Sequence, residues 1–312
     1  MLQPMLATAA TGPDGLPRGP QWAYEIKWDG VRVLADTTSG RLRLWSRNGN
    51  EVTAAYPELA GLAVLPDTVV DGEVVAMAGG VPSFAALAER MHVRDATRAA
   101  ALARSRPVTF VVFDVLTWDG ADVTGRGYDE RRALLDRMPP VDHVQPSPVY
   151  ADGDALWRVT LDHGLEGVVA KLRRSTYQPG RRSRDWVKLP HRRTRTALVG
   201  GWREESAGTG RLGAVLLGAR DDDGALRYLG RAGSGLAGPL AASLRVTLDE
   251  RGRDGSPFDD AVPAADARGT HWCEPVVVVD TLYLSRTPGG RLRQPVVRGL
   301  RTDTGPDPWR QP

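Results

Sequence analysis

The chain has 312 residues, 41% of them apolar and 25% charged, with a formal net charge of +3. That length predicts two domains with ordinary cores, and the lack of any run of 18 apolar residues gives no membrane-spanning helix. A single cysteine, Cys273, excludes an internal disulfide and, with five scattered histidines, a cysteine-rich zinc module; it reads as an inert strand residue. In chain order, the first twenty residues lack a charged segment followed by an apolar one, so no secretory signal is read and a cytoplasmic location is expected. Residues 22–46, WAYEIKWDGVRVLADTTSGRLRLWS, read as strands broken by Asp-Gly and Thr-Ser-Gly turns, with strand-like alternation in VRVLAD and RLRLWS. Lys27 falls at a strand end beside a tight turn. Further strands are predicted at 68–77, 108–116, 166–172 and 185–189. Helices fit between them at 83–104, 128–138 and 154–163, where Ala, Leu, Arg and Glu dominate. Together these make an antiparallel α+β domain.

After His191-Arg192-Arg193-Thr194-Arg195 the texture changes to short strands and glycine turns, TALVGGWR, RLGAVLLGAR and LRYLGRAGSG, then a helix near 238–252 and the strand CEPVVVVDTLYLS. Several short strands with one helix suit a small all-β barrel of the OB type, so the boundary is placed near 194, giving domains 1–193 and 194–312. The tail TDTGPDPWRQP is Pro-rich and expected to be loose. Between Lys171 and Arg195 ten cations accompany one acid, Asp185. Such a run reads as facing a polyanion rather than as a solvated face of mutually repelling charge.

Lysine is scarce. It occurs only at positions 27, 171 and 188, against 38 arginines. An amine nucleophile must shed its proton, which a guanidinium effectively never does and an ammonium does where its surroundings disfavour charge. Lysine is therefore able to attack phosphorus where arginine is not. None of the three lies in a segment predicted as helix, where solvated lysine is ordinarily found.

Lys27-Trp28-Asp29-Gly30 resembles the KxDG motif of the covalent nucleotidyltransferases: ATP-dependent DNA ligases, RNA ligases and mRNA capping enzymes. KxDG alone is weak, but Arg47-Asn48-Gly49, Asp71-Gly72-Glu73, Phe113-Asp114, the run Glu166 to Lys171, Trp186-Val187-Lys188 and the run Arg298 to Asp303 follow in the family's order. The WDG form and the RGLR near the C-terminus are most similar to the bacterial ligase D and ligase C group. The resemblance implies a nucleotidyltransferase (adenylation) domain with ATP-grasp-like antiparallel sheets, followed by an OB-fold domain. It also implies an ATP-dependent DNA ligase acting through lysyl-AMP and DNA-adenylate intermediates, in non-homologous end joining or backup excision repair.

Residue by residue, the resemblance makes Lys27 the catalytic nucleophile. Glu73 falls at the ribose and metal region, and Glu166 helps hold Mg²⁺ or Mn²⁺, a task for hard carboxylate oxygens. Asp71 and Glu73, two apart in a strand, share a face. Phe113 by itself reads as core, as any Phe in TFVVFDVL would; the family uses an aromatic here as the platform under adenine. Glu25 resembles the reader of the adenine edge, against the plainer reading of a solvent-facing strand charge. Arg32 and Arg47 match positions near the ribose or nick phosphate, Arg182 and Lys188 positions near the triphosphate, and Arg301 the β,γ-phosphate contact. The implied partners are ATP, the metal ion, nicked or broken duplex DNA, Ku and a separate repair polymerase. The implied protein is a nucleoid-associated monomer with no membrane role.

Two departures stand out. The family's fifth motif usually reads Lys-x-Lys, whereas this chain has Lys188-Leu189-Pro190. Either Lys171 or His191-Arg192-Arg193 then supplies the missing charge, or nucleotide attack is slower. Thr304 follows Asp303 where a basic or aromatic residue is common. Gly208-Thr209-Gly210-Arg211-Leu212-Gly213 matches GxGxxG, but no helix follows and it reads as a hairpin loop. No GxxxxGK occurs, which excludes a P-loop ATPase. An RNA ligase or capping enzyme using the same lysine is the alternative within the class, and a catalytically silent nucleic-acid-binding scaffold the alternative outside it.

Overall fold

A computed structural model gives the fold and describes residues 3–10, 13–91, 93–205 and 210–311. The chain divides into two compact units, 1–191 and 192–312. Among the described residues no helix is long and apolar enough to cross a membrane.

The first unit is built on two sheets. One has the strand order Leu6–Ala9, Arg182–Pro190, Gly167–Leu172, Trp22–Ile26, Val149–Tyr150; the other runs Val144–Pro146, Thr109–Trp118, Val69–Val75, Val31–Asp36, Arg43–Ser46. Pairing is antiparallel except at two edges, where Leu6–Ala9 joins Arg182–Pro190 and Val144–Pro146 joins Thr109–Trp118 in parallel. The α+β expectation therefore holds with a mixed rather than purely antiparallel pattern.

Strand alternation decides what each face does. Val70 and Val74 turn to a core shared with Val33, Ala35, Phe110 and the 3₁₀ segment Pro57–Val64, whose Leu59 and Leu62 are fully buried. Each such side chain contributes roughly 1.5–3 kcal/mol by leaving water. The opposite face of the same sheet carries Arg32, Leu34, Val69, Asp71 and Glu73. There Leu34 and Val69 pack with Met5, Tyr177 and Trp186. The outer face of the other sheet is closed by helix Gly153–Asp162 through Tyr24, Leu156, Val168 and Leu189.

The helix expected over 83–104 is two helices, Phe84–Leu87 and Ala96–Ser105. Asp95 starts the second by accepting from Arg98 N at 2.7 Å. Ahead of it Arg90 turns inward, where its guanidinium donates to Glu58, Ala55 O and Arg106 O. A continuous helix could not deliver that side chain. Helices Tyr128–Leu135 and Gly153–Asp162 fall where expected.

In the second unit five strands run in the order Leu226–Ala232, Leu212–Arg220, Arg193–Glu204, His271–Tyr283, Val296–Arg301, all antiparallel. Helix Gly238–Asp249 seals the core with Leu244 and Leu248. Of the GxGxxG stretch, Gly208 and Thr209 lie outside the described residues; Leu212, within it, pairs with Glu204 across an antiparallel ladder. Cys273 is buried in this sheet, and burial pushes its thiol up to about 12. The tail is not loose. Thr196 and Asp307 exchange two 2.8 Å bonds, Trp309 N donates to Arg220 O at 2.7 Å, and the Trp309 ring packs on the core. Proline-rich composition misled because the anchoring acceptors come from strands far away in sequence.

Candidate active site

The two sheets of the first unit face each other across a cleft. One wall carries Glu25, Lys27, Lys171, Arg182, Trp186 and Lys188; the other carries Arg32, Arg47, Glu73 and Phe113. Lys27 follows directly on strand Trp22–Ile26, and its N–H still bonds Gly167 O at 2.8 Å. Its Nζ forms an ion pair with Glu166 Oε1, the two side chains being 21% and 9% exposed. Gly30 lets the chain cross to the second sheet, since a Cβ there would meet Val74 O at 2.1 Å.

Glu166 is held from both sides. His191 N donates to its carbonyl at 2.8 Å, and Gly167, at φ +144°, lies so close to Leu189 O that a Cβ would meet it at 2.2 Å. The His191 ring lies 3.7 Å from that of Trp157 and bonds Thr160 Oγ1 at 2.9 Å. Burial pushes its pKa down to about 4, so it is neutral near pH 7.

Glu73 stands opposite Arg32 in the ladder. Burial pushes its carboxyl up to about 8 against the pull of Lys27 and Arg32. Among the described residues it makes no hydrogen bond or ion pair, and its half-buried side chain lines the cleft. Arg32 is engaged instead with Asp71, at 2.9 and 2.6 Å, and Tyr177 OH donates to the same carboxylate at 2.6 Å. Burial opposes the charge on Arg32, but Asp71 outweighs it and holds the guanidinium pKa above its ordinary value. Asp71 is fully buried and does not line the cleft, so of the two same-face acids only Glu73 faces it.

Two carboxylates, Glu73 and Glu166, flank Lys27. That donor set fits a Mg²⁺ or Mn²⁺ ion that also takes phosphate oxygens from a nucleotide, since such ions are held through one or two carboxylates. Among the described residues no group of three or more His, Cys, Asp or Glu forms a metal cage. Lys188 has its pKa lowered first by burial, then by the neighbouring cations Lys27, Arg182 and Arg47.

Glu25 is buried rather than solvent-facing, and its Oε1 forms an ion pair with Lys171 Nζ at 2.6 Å and accepts from Tyr128 OH at 2.7 Å. Neither His191 nor Lys171 stands free to replace the amine lost at Pro190. His191 is neutral, and Lys171, 2% exposed, is committed to Glu25 and to Phe113 O at 3.0 Å. The basic stretch is likewise not one face. Lys171 and Arg195 are buried, Arg173 pairs with Asp129, and Lys188 lies in the cleft, leaving Arg174, Arg181, Arg182, Arg184, Arg192 and Arg193 exposed. Arg301 belongs to the second unit, where Asp280 (2.9 Å) and Asp303 (2.8 and 2.9 Å) hold its guanidinium.

Sequence reasoning placed Trp186 in a motif without giving it a role, and missed Tyr128 altogether. Trp186 Cα pairs with Lys171 across the sheet and its ring meets Phe113 edge-on at 6.2 Å. Tyr128 belongs to no motif; only its contact with Glu25, 103 residues away, reveals it.

Comparison with known proteins bears on the site. The family model described as ATP dependent DNA ligase domain matches residues 4–189, and that of the ATP dependent DNA ligase C terminal region matches residues 208–304. The multifunctional non-homologous end joining DNA repair protein LigD of Mycobacterium tuberculosis H37Rv is 41% identical over 311 residues, 98% of this chain and 39% of that protein. DNA ligase C of the same organism is 34% identical over 260 residues, 80% of this chain and 70% of that protein. Among solved structures, mycobacterial DNA ligase D complexed with ATP and MES matches with 38% identity and a TM-score of 0.56, covering 100% of this chain and 98% of that one. The chain thus spans 39% of the length of the LigD relative.

Proposed function

The chain belongs to the ATP-dependent DNA ligase family, a nucleotidyltransferase domain followed by an OB-fold domain, and we propose that it seals nicks and joins ends in duplex DNA through lysyl-AMP and DNA-adenylate intermediates. The observation that carries this reading is Lys27 Nζ paired with Glu166 inside a cleft edged by Arg32, Arg47, Arg182 and Lys188.

In the first transfer Nζ gives up a proton, for which Glu166 Oε1 is the acceptor in reach, and forms a bond to the α-phosphorus of ATP as pyrophosphate leaves. Lys188, Arg182 and Arg47 offset the charge gathering on the departing phosphates. Phe113 supports the base and Glu25 reads its edge. Glu73 and Glu166 would hold Mg²⁺ or Mn²⁺, which when bound supplies further positive charge to the phosphate oxygens. AMP then passes from Lys27 to the 5′-phosphate of the nick, breaking the P–N bond and forming a phosphoanhydride. Last, the 3′-hydroxyl attacks that phosphate, AMP leaves, and a phosphodiester is formed. Arg301 is assigned to the β,γ-phosphates in the first transfer, for which it must leave Asp280 and Asp303.

The cellular reading is repair of double-strand breaks, supported by the similarity to proteins named for non-homologous end joining. Ku and a repair polymerase are the proposed partners of a monomer working at the nucleoid. Exposed Arg174, Arg181 and Arg184 suit contact with phosphate backbone, which positions without reading sequence. The test is incubation with ATP and Mg²⁺ or Mn²⁺ followed by intact mass, beside Lys27→Arg. A gain of one AMP that disappears in the variant is expected. No adduct, in protein shown free of AMP beforehand, would sink the reading.

A further inference from the structure

Lys171 is an ammonium almost sealed inside the protein. It donates to Phe113 O at 3.0 Å and forms an ion pair with Glu25 Oε1 at 2.6 Å, and its Nζ lies 4.4, 4.5 and 5.1 Å from the ring centroids of Trp186, Phe113 and Tyr128. An ammonium fits this box as a compact point charge; a planar guanidinium would not. Tyr128 adds a second donor to the same oxygen of Glu25. Burial, and then the charge of Glu25, hold the Tyr128 pKa well above its ordinary value, so the phenol keeps its proton and donates. The helix carrying Tyr128 is fixed in turn by Arg131, which donates to Asp114 at 2.7 and 3.0 Å, next to Phe113 in the chain.

Both donors fall on Oε1. Among the described residues Oε2 of Glu25 has no hydrogen-bond partner, and Glu25 lines the cleft. We infer that Lys171 and Tyr128 are positioning residues that set base selection: they hold Glu25 as a purely accepting carboxylate whose remaining oxygen takes a 6-amino group and repels a 6-oxo group. A 6-aminopurine offers a donor at that edge where a 6-oxopurine offers an acceptor. Rejection arises because the wrong base would bury two acceptors against each other. This rests on the lysyl-nucleotide reading above.

The geometry makes a sharper demand on Glu25→Gln than loss of function. With two donors fixed at the Oε1 position, the amide oxygen must take that place, which turns the NH₂ into the position of Oε2. The variant should then favour GTP over ATP in forming the lysyl-nucleotide. Tyr128→Phe should lower the ATP-to-GTP ratio of kcat/KM by about tenfold, with the change in KM rather than kcat, as expected for loss of a hydrogen bond to a charged group. In the double variant Tyr128→Phe/Glu25→Gln the amide is less constrained and part of the ATP preference should return. Adduct formation is followed by intact mass over a range of ATP or GTP concentrations, with melting curves for each variant. If Glu25→Gln loses ATP and GTP in equal proportion, or Tyr128→Phe keeps the wild-type ratio, the inference is overturned alone. Failure of the unmodified protein to form an adduct with either nucleotide overturns it together with the ligase reading.

Discussion

In the first unit, behind a few surface pairs, ion pairs lie deep in the interior: Arg131 with Asp114 is 0% exposed on both sides, Arg90 with Glu58 0% and 5%, and Lys171 with Glu25 2% and 2%. In the second unit each described pair keeps one partner at least 37% exposed, and the core behind is apolar. Burying a charge pair costs several kcal/mol of desolvation per ion and is a poor route to stability alone. The first unit accepts that cost where charge fixes geometry. Asp71 and Asp114 sit opposite each other in the ladder, two acids that would repel, and each is taken by its own arginine, Arg32 and Arg131. Between them these pairs hold the strand bearing Phe113 and the helix bearing Tyr128. Positioning a nucleotide needs such fixed side chains, whereas the second unit's sheet is held by ordinary packing.

The contrast breaks most visibly at Arg131. Arg131→Met leaves Asp114 buried without its partner and should lower stability by about 3–5 kcal/mol in denaturant unfolding, with much of the loss restored in Arg131→Met/Asp114→Leu. Failure of the double variant to recover would mean the pair does more than satisfy itself. Next in size is salt. If the exposed Arg174, Arg181 and Arg184 carry the DNA contact, nick sealing should fall about tenfold or more between 50 and 200 mM salt as counterion release predicts, with lysyl-AMP formation, which needs no DNA, changing far less. Equal sensitivity of the two steps would remove that division. Smallest is Arg227→Ala in the second unit, which breaks a partly exposed pair with Asp221 and should leave the denaturant midpoint almost unchanged. Cys273 reports on that unit separately: its buried thiol should resist alkylation at pH 8 until the sheet opens, at a rate that Arg227→Ala barely changes.

The strands that shape the cleft were legible because Val-rich alternation survives in VRVLAD, VVDGEVV and TFVVFDVL. Leu6–Ala9 was not: LATA has one apolar residue of any size, and its partner strand lies more than 170 residues away. Motif order placed Glu25, Lys27, Arg32, Arg47, Glu73, Phe113, Arg182 and Lys188, all of which line one cleft. What motifs could not give was who holds whom. Lys171 reaches Glu25 only because strands 22–26 and 167–172 pair with Val169 opposite Glu25, setting Lys171 diagonally across on the same face. The broken helix at 83–104 was hidden for a related reason, since the inward turn of Arg90 answers to Glu58, a residue outside the window that propensity sees.

The placement of the lysines also governs how the protein can be handled. Lys27 and Lys188 line the cleft and Lys171 is buried, so any lysine that an amine-directed dye or support modifies lies in the cleft or the interior and not on the outer surface. A protease cutting only after lysine divides the chain into 1–27, 28–171, 172–188 and 189–312. Any group carried on Lys27 blocks the first cut and leaves 1–171 as one piece, so a peptide map alone assigns the modified residue.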